Sequence, residues 1–284
     1  MCIRDSFFGE EIIGDGENSA SAFFLHRDYR DWYEAEGGRA FLGLYTSPFL
    51  SLTAGVTIQD EASLANETDW SLFRQEADFR MNPFIPEGTY RGFTASLAYD
   101  TRPEGDGRWH PRRSRRSWGG LEHYYRLSWE RADAGLGGDF DLWRVTADLR
   151  TYFRLSPRQS LSARLLAGAG EAQDTPDGLL PAQRRYALGG LSTLRGHGFR
   201  SITGDRVALA NLQYAFNVTR GSQALVFVDA GTAWNRGPLT DQRIPVDVGA
   251  GYRFDEEGIT LLVGQNVNSL DKETKVFLRF QESF

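Results

Sequence analysis

The sequence is short of several things, and each shortage excludes a class of protein. One cysteine in 284 residues, Cys2, leaves no partner for an internal disulfide and no thiolate cluster for a metal. The four histidines, His26, His110, His123 and His197, share no metal-ligand spacing. No Gly-x-Ser-x-Gly nucleophile elbow and no glycine-rich phosphate loop in a strand–helix setting occurs, so the chain offers no catalytic group and needs no cofactor. Lysine is almost absent, confined to Lys272 and Lys275, and a net charge of −6 gives no general attraction to nucleic acid. Apolar runs reach only about five residues, as in Ala224–Val228, far short of a membrane-spanning helix. Membrane barrels escape that test, because their strands alternate and average to a polar hydropathy. The opening Met1–Ser6 followed by Phe7 and Phe8 lacks the charged start, apolar core and small-residue site of a secretory signal.

Period-two alternation dominates from about residue 40 onward, and helical stripes are scarce. Leu50, Leu52, Ala54, Val56 and Ile58 oppose Ser51, Thr53, Gly55 and Thr57. Trp143, Val145, Ala147, Leu149 and Phe153 oppose Arg144, Thr146, Asp148, Arg150 and Arg154. Val246, Val248, Ala250, Tyr252 and Phe254 oppose Asp247, Gly249, Gly251 and Arg253. The pattern predicts an all-β chain of about twelve or thirteen strands. They fall near 19–33, 38–47, 49–59, 69–80, 88–101, 117–131, 139–155, 158–170, 205–217, 223–235, 243–254, 258–267 and 274–284. Many exceed the five or six residues usual in globular sheets and approach the roughly 9–11 of a tilted membrane strand. Aromatics such as Tyr99, Trp129, Phe216 and Phe254 fall near strand ends, where a barrel places its girdles.

The connections differ in length. Ser156–Arg158, Thr219–Ser222 and Asp255–Gly258 are tight, whereas Ala132–Gly138 and Asn235–Arg243 are longer and Glu171–Gly204 is very long. Tight turns on one rim and long loops on the other is the asymmetry of an antiparallel transmembrane barrel, the tight ones being periplasmic. A connection as long as 171–204 in a compact domain points to a function for it.

That connection carries Tyr186-Ala-Leu-Gly-Gly-Leu-Ser-Thr-Leu194-Arg195-Gly196-His197-Gly-Phe199, and the second strand after it carries Phe227-Val-Asp229-Ala-Gly231. Asp229 shares a face with Phe227 and Gly231, opposite Val226, Val228 and Ala230, so lipid-facing Val and Ala put the carboxylate in the lumen. Asp247 falls on the polar face of the next strand. An arginine can fork onto such carboxylates, and an unpaired one in a semi-buried lumen costs about 3–5 kcal/mol, less where water reaches it.

These residues resemble the C-terminal barrel of the bacterial surface antigen superfamily, which comprises BamA/TamA-like outer-membrane assembly proteins, two-partner-secretion transporters and the barrels of patatin-like autotransported lipases. The resemblance covers the chain from about residue 88 and is strongest over 186–284. It implies that the loop 171–204 folds back into the lumen, with the tip Leu194, Arg195, Gly196 and His197 latched to the wall strand of Phe227, Asp229 and Gly231, Arg195 pairing with Asp229; Asp247, on the polar face of the next strand, is a second candidate partner. His197 stands where an aromatic is usual, and Phe199 would fill that space. Gly231, Gly249 and Gly251 would leave backbone room for the loop. The strand that leads through Phe280 to Phe284 would be the assembly signal, and Tyr99-Asp100-Thr101-Arg102 with Pro111 resembles a turn motif of these barrels.

Such barrels typically have about sixteen strands, behind polypeptide-transport-associated (POTRA) domains and a signal peptide, so residues 1–284 read as a barrel truncated at its N-terminus. The implied activity is insertion, assembly or translocation of polypeptides. The implied partners are outer-membrane lipid and lipopolysaccharide, client polypeptides and accessory subunits. The barrel of a patatin-like lipase with its enzyme upstream, or a plain porin, are the alternatives. The run Arg108–Arg116, with Trp109 and Trp118, mixes cations and aromatics as nucleic-acid sites do, but reads better as a basic turn at the membrane rim.

Overall fold

The structure is a computed structural model that describes residues 3–7, 14–65, 70–73, 79–102, 120–254, 258–268 and 274–279. Among the described residues twelve strands form one sheet. They are β1 (Ile3–Phe7), β2 (Trp32–Tyr45), β3 (Leu50–Ser63), β4 (Gly88–Asp100), β5 (Leu121–Ala132), β6 (Leu142–Ser156) and β7 (Gln159–Ala172), then β10 (Arg206–Thr219), β11 (Ser222–Trp234), β12 (Val246–Phe254), β13 (Ile259–Asn266) and β14 (Thr274–Arg279). Two short strands, β8 (Tyr186–Leu188) and β9 (Ile202–Gly204), pair only with each other inside the long connection. All neighbours in the large sheet are antiparallel and follow chain order, with β7 pairing directly with β10. Among the described residues no pairing joins β14 to β1.

Alternation along the strands becomes a division between two environments. Val226 and Val228 are 53% and 45% exposed on the outer face, while Phe227 and Asp229 between them are 3% and 0% exposed. Leu52, Val56, Leu127, Trp129, Leu149 and Leu165 also face outward, and Thr57, Gln59, Glu61, Asp148, Arg164, Asn211 and Gln213 are buried on the inner face. This is the sheet of a membrane barrel, apolar outside and polar within. The concave side is filled by residues 173–205, and the apolar clusters are built largely where that segment meets the wall. Tyr186, Leu188 and Leu194 pack on Val207, Leu209 and Ala233, and Leu191 packs with Ala215, Leu225, Phe227, Leu262 and Phe277.

Two predicted strands differ from the structure among the described residues. Of the span 19–33, residues 19–25 belong to a helix, α1 (Asp15–Leu25), which ends where His26 takes φ 55°, and only Trp32 and Tyr33 are in a strand, the start of β2. The Ser-Ala-Ser-Ala stretch at 19–22 alternates like a strand, but alanine is the best helix former and no neighbouring strand claims the segment. Within 69–80, the described residues 70–73 and 79–80 are not in a strand. The sheet gains β1, which the sequence pattern did not suggest.

Candidate lumen latch

β8 and β9 make a small hairpin, Tyr186 opposite Gly204 and Leu188 opposite Ile202, and the tip 189–201 projects from it toward the wall built by β10–β13. Gly189 and Gly190 turn the chain at φ 115° and 96°, a region that only glycine enters cheaply. The turn delivers Arg195, which is 1% exposed, onto the inner face. Its Nε donates to Asp229 Oδ2 at 2.8 Å and one terminal nitrogen to Asp229 Oδ1 at 2.7 Å, a bidentate fork. The other terminal nitrogen donates to Gln213 Oε1 at 2.7 Å. The guanidinium lies 3.6 Å from the centroid of the Phe227 ring, a cation–π contact shielded from water. Asp229 also accepts from Asn211 Nδ2 at 2.7 Å and from the Arg195 backbone N–H at 3.2 Å. A carboxylate with no exposed surface is thus held by four donors, the condition under which burying the pair is tolerable.

The next two residues engage Asp247. The Gly196 N–H donates to its Oδ2 at 2.6 Å, and His197 Nδ1 lies 3.0 Å from the same carboxylate. Asn266 Nδ2 is 2.8 Å from His197 Nε2, which fits an imidazole carrying its proton on Nδ1 and accepting on Nε2. Phe199 does not fill the place beside His197. It lies 6.0 Å edge-on to Tyr29 and 4.8 Å beneath the Arg80 guanidinium, and the next residue, Arg200, turns at φ 49° and pairs with Asp31 in the segment before β2. His197 makes the polar contacts of this position itself.

The glycines act differently from the expectation. A Cβ on Gly249 would meet the Phe227 ring at 2.2 Å, one on Gly231 would meet Ala208 and Leu209 of β10, and one on Gly251 would meet Leu262. They make room between neighbouring strands, so that Phe227 lies flat over Gly249 and presents its face to Arg195. Room for the loop comes from Gly264, where a Cβ would be 2.3 Å from the Arg195 carbonyl, and from Gly196, where it would be 2.6 Å from the backbone of β13.

Three side chains were given no role in the sequence reading, Arg184 and Tyr186 on the long connection and Arg164 on the wall. Arg184, at the base of the hairpin, donates to Glu61 Oε1 at 2.5 Å and to Glu130 Oε1 at 2.9 Å, and it lies over the Tyr90 ring at 4.5 Å. Arg164 forks onto Asp148 at 2.9 and 2.8 Å and reaches the Ser192 carbonyl at 2.9 Å. Tyr186 Oη bonds the Val145 carbonyl at 2.6 Å, with its ring over Gly168. The sequence signal for Glu61, Glu130 and Asp148 was there, since each is an acid on the polar face of an alternating strand.

Two carboxylates outside the strands are displaced from their ordinary range. Burial pushes Asp31 up against the opposing pull of Arg80 and Arg200, and burial pushes Asp205 up despite the Leu180 N–H and Arg185. Arg102 pairs with Asp100 at 3.1 Å, while Pro111 of that turn, the basic run 108–116 and the terminal Phe280 and Phe284 lie outside the described residues. Among the described residues no group of three His, Cys, Asp or Glu could hold a metal ion.

The fold matches solved outer-membrane proteins. Against BamA from Haemophilus ducreyi lacking POTRA domains 1–3 the TM-score is 0.61 at 14% identity, covering 96% of this chain and 56% of that one. Against CdiB from Acinetobacter baumannii it is 0.55 at 16% identity, covering 87% and 42%. At these identities the likeness establishes the fold. In sequence, the chain is 28% identical over 133 residues to the outer membrane protein assembly factor BamA of Nitratidesulfovibrio vulgaris, a stretch that is 43% of this chain and 15% of that relative. The Omp85 superfamily domain matches residues 53–256, which run from β3 to the end of β12 and include the whole long connection with its tip and both wall carboxylates. The chain belongs to the Omp85 superfamily and is an outer-membrane β-barrel protein.

Proposed function

We infer that the protein inserts, assembles or translocates polypeptides at the outer membrane, and that Leu194–His197 is a latch holding the loop against Phe227, Asp229 and Asp247. The observation that carries this reading is the loop that crosses the lumen, tied at Arg184 to one wall and at Arg195 to the other. A diffusion pore needs an open lumen, and a structural barrel has no use for two buried arginines on a loop. A family of assembly and transport barrels does have a use for a plug held by polar contacts, which can be released and remade in water.

The mechanism is conformational. Releasing Arg195 from Asp229 and Gln213 frees the tip, changes the shape of the lumen and relaxes the β10–β13 wall, and no step transfers a bond. Lipid, including lipopolysaccharide, would meet the outer Val and Leu face, and an unfolded client would meet the polar lumen and the sheet ends.

The test is reconstitution of the protein in lipid vesicles with an unfolded outer-membrane β-barrel precursor as client, scored by acquisition of protease resistance. Stimulation over empty vesicles, reduced by Arg195→Ala, is the expected result. Equal client folding with and without the protein, together with steady ion conductance unaffected by Arg195→Ala, would return the chain to the porin reading.

A further inference from the structure

The long connection holds two buried arginines eleven positions apart, and they grip opposite walls. At the tip, Arg195 uses Asp229, Gln213 and Phe227, all on β10 and β11. At the base, Arg184 uses Glu61 of β3 and Glu130 of β5, lies over Tyr90 of β4, and has Tyr33 Oη of β2 3.4 Å from its remaining nitrogen. Gln183 adds a bond of 2.7 Å to Glu61 Oε2, while Glu61 Oε1, the oxygen that Arg184 holds, also accepts from Gln59 at 2.7 Å. Tyr90 Oη donates to Glu130 at 2.9 Å. The two clusters share no residue. Groups with no shared partner respond to perturbation almost independently.

The base is also fixed by contacts that a swinging tip need not break. Tyr186 is bonded to Val145, Gly204 lies directly against the Trp234 backbone, and Asp205 accepts the Leu180 N–H at 3.2 Å. The tip beyond Gly189 is held by separate contacts: the Arg195 and His197 sets, Ser192 on Arg164, Thr193 on Asn211, Leu191 in its apolar cluster, and Arg200 on Asp31. The glycine pair 189–190 stands between base and tip at φ values of 115° and 96°, which only glycine enters cheaply.

Resting on the latch reading of the tip, we propose that Arg184 is a second positioning residue, which pins the base of the loop to the β2–β5 wall as a fixed pivot. Opening then swings the tip about Gly189–Gly190 while the base stays in the lumen, and the loop is never ejected whole. The charge arithmetic suits a permanent anchor. One guanidinium faces two carboxylates, so its loss would leave Glu61 and Glu130 facing each other, with Arg144 only at 3.8 Å from Glu130.

The test reads thiol accessibility in the full chain, refolded into vesicles in a Cys2→Ser background, with a membrane-impermeant maleimide. Leu194→Cys reports on the tip and Leu180→Cys on the base, both leucines being fully buried. With Arg195→Ala, labelling of the tip should rise roughly tenfold or more, while the base changes by less than about twofold. With Arg184→Ala, labelling of the base should rise by a similar factor. Base labelling that rises with the tip in Arg195→Ala would mean that the loop leaves as one unit and would overturn the pivot. A base that stays protected in Arg184→Ala would overturn it too. If Arg184→Ala does not refold, Glu61→Gln and Arg184→Lys ask the same question with the cluster's shape kept. A tip that stays protected in Arg195→Ala refutes the latch itself, an outcome distinct from either failure of the pivot.

Discussion

Removing the Arg195 side chain is the sharpest perturbation of this barrel. Arg195→Ala deletes three charge-assisted bonds, two to Asp229 and one to Gln213, and uncovers the Phe227 ring. Each such bond is worth about 1.5–3 kcal/mol, but Asp229 keeps Asn211 and the backbone N–H of residue 195, and water can enter the space vacated. The balance falls at about 3–4 kcal/mol, the usual cost of stranding one member of a buried pair. Arg195→Lys keeps the charge but can serve only part of the fork, and should cost about 1–2 kcal/mol. The assay is urea unfolding from lipid vesicles followed by tryptophan fluorescence, with unboiled gel mobility as a second probe. Arg195→Ala, Asp229→Ala and the double variant close a cycle, with a coupling of about 2–3 kcal/mol expected because the two side chains share most of their bonds. Single variants costing under about 0.5 kcal/mol, or a double variant equal to their sum, would refute the argument that this pair holds the loop.

Gly196→Ala places a Cβ 2.6 Å from the backbone of β13, so the tip cannot seat and the unboiled band should migrate like Arg195→Ala or worse. Gly249→Ala pushes the Phe227 ring off its seat, and the loss should be smaller in a Phe227→Leu background, where the ring is gone. Asp205 has a folded pKa above its unfolded value, so the native state binds its proton more tightly and this residue's contribution to stability falls as pH rises through that window. Asp205→Asn keeps an acceptor for Leu180 and should flatten that slope in pH-dependent urea midpoints, with stability at neutral pH equal or slightly higher. Val228→Arg on the outer face should cost about 2–4 kcal/mol if this strand faces the bilayer midplane. Thr146→Val, on the inner face where it bonds Tyr186, should cost only about 1 kcal/mol, and the difference between the two faces is the measurement.

Much of this was legible in the chain, for a specific physical reason. A sheet with lipid on one side and water or a plug on the other imposes strict alternation, and parity alone put Asp229 and Asp247 on the inner face between outward valines. The order of neighbours followed from chain order, since antiparallel meanders pair each strand with the next. Alternation without a partner misleads, and the Ser-Ala repeat of α1 lacked one. The hairpin of β8 and β9 was too short for any period to reveal. Arg184 was missed because its partner Glu61 lies 123 residues away, across the lumen, and no local spacing encodes a contact between opposite walls. Phe199 could not be placed from local pattern, because its partners Tyr29 and Arg80 lie far back in the chain.

The choice of charged ties over an apolar plug follows from where the driving force lies. A barrel in lipid spends its apolar residues on the outside, so the inner wall is polar, and a loop that enters it must bring complementary charge or leave carboxylates unsatisfied. An apolar plug would seat through area and would resist leaving, because every partial opening exposes that area to water. The fork of Arg195 on Asp229 behaves differently. Once water reaches the pair, each partner is solvated and the cost of separation falls, because attraction at about 4 Å drops from about 4 kcal/mol at the effective dielectric of a protein site to about 1 kcal/mol in bulk water. The tip is therefore stable while dry and releasable once wetted. The Phe227 ring over Gly249, packed in one apolar cluster with Leu191, Leu225 and Leu262, covers the guanidinium. Anything that disturbs this apolar cluster, an arriving client strand included, would weaken the latch without touching the arginine.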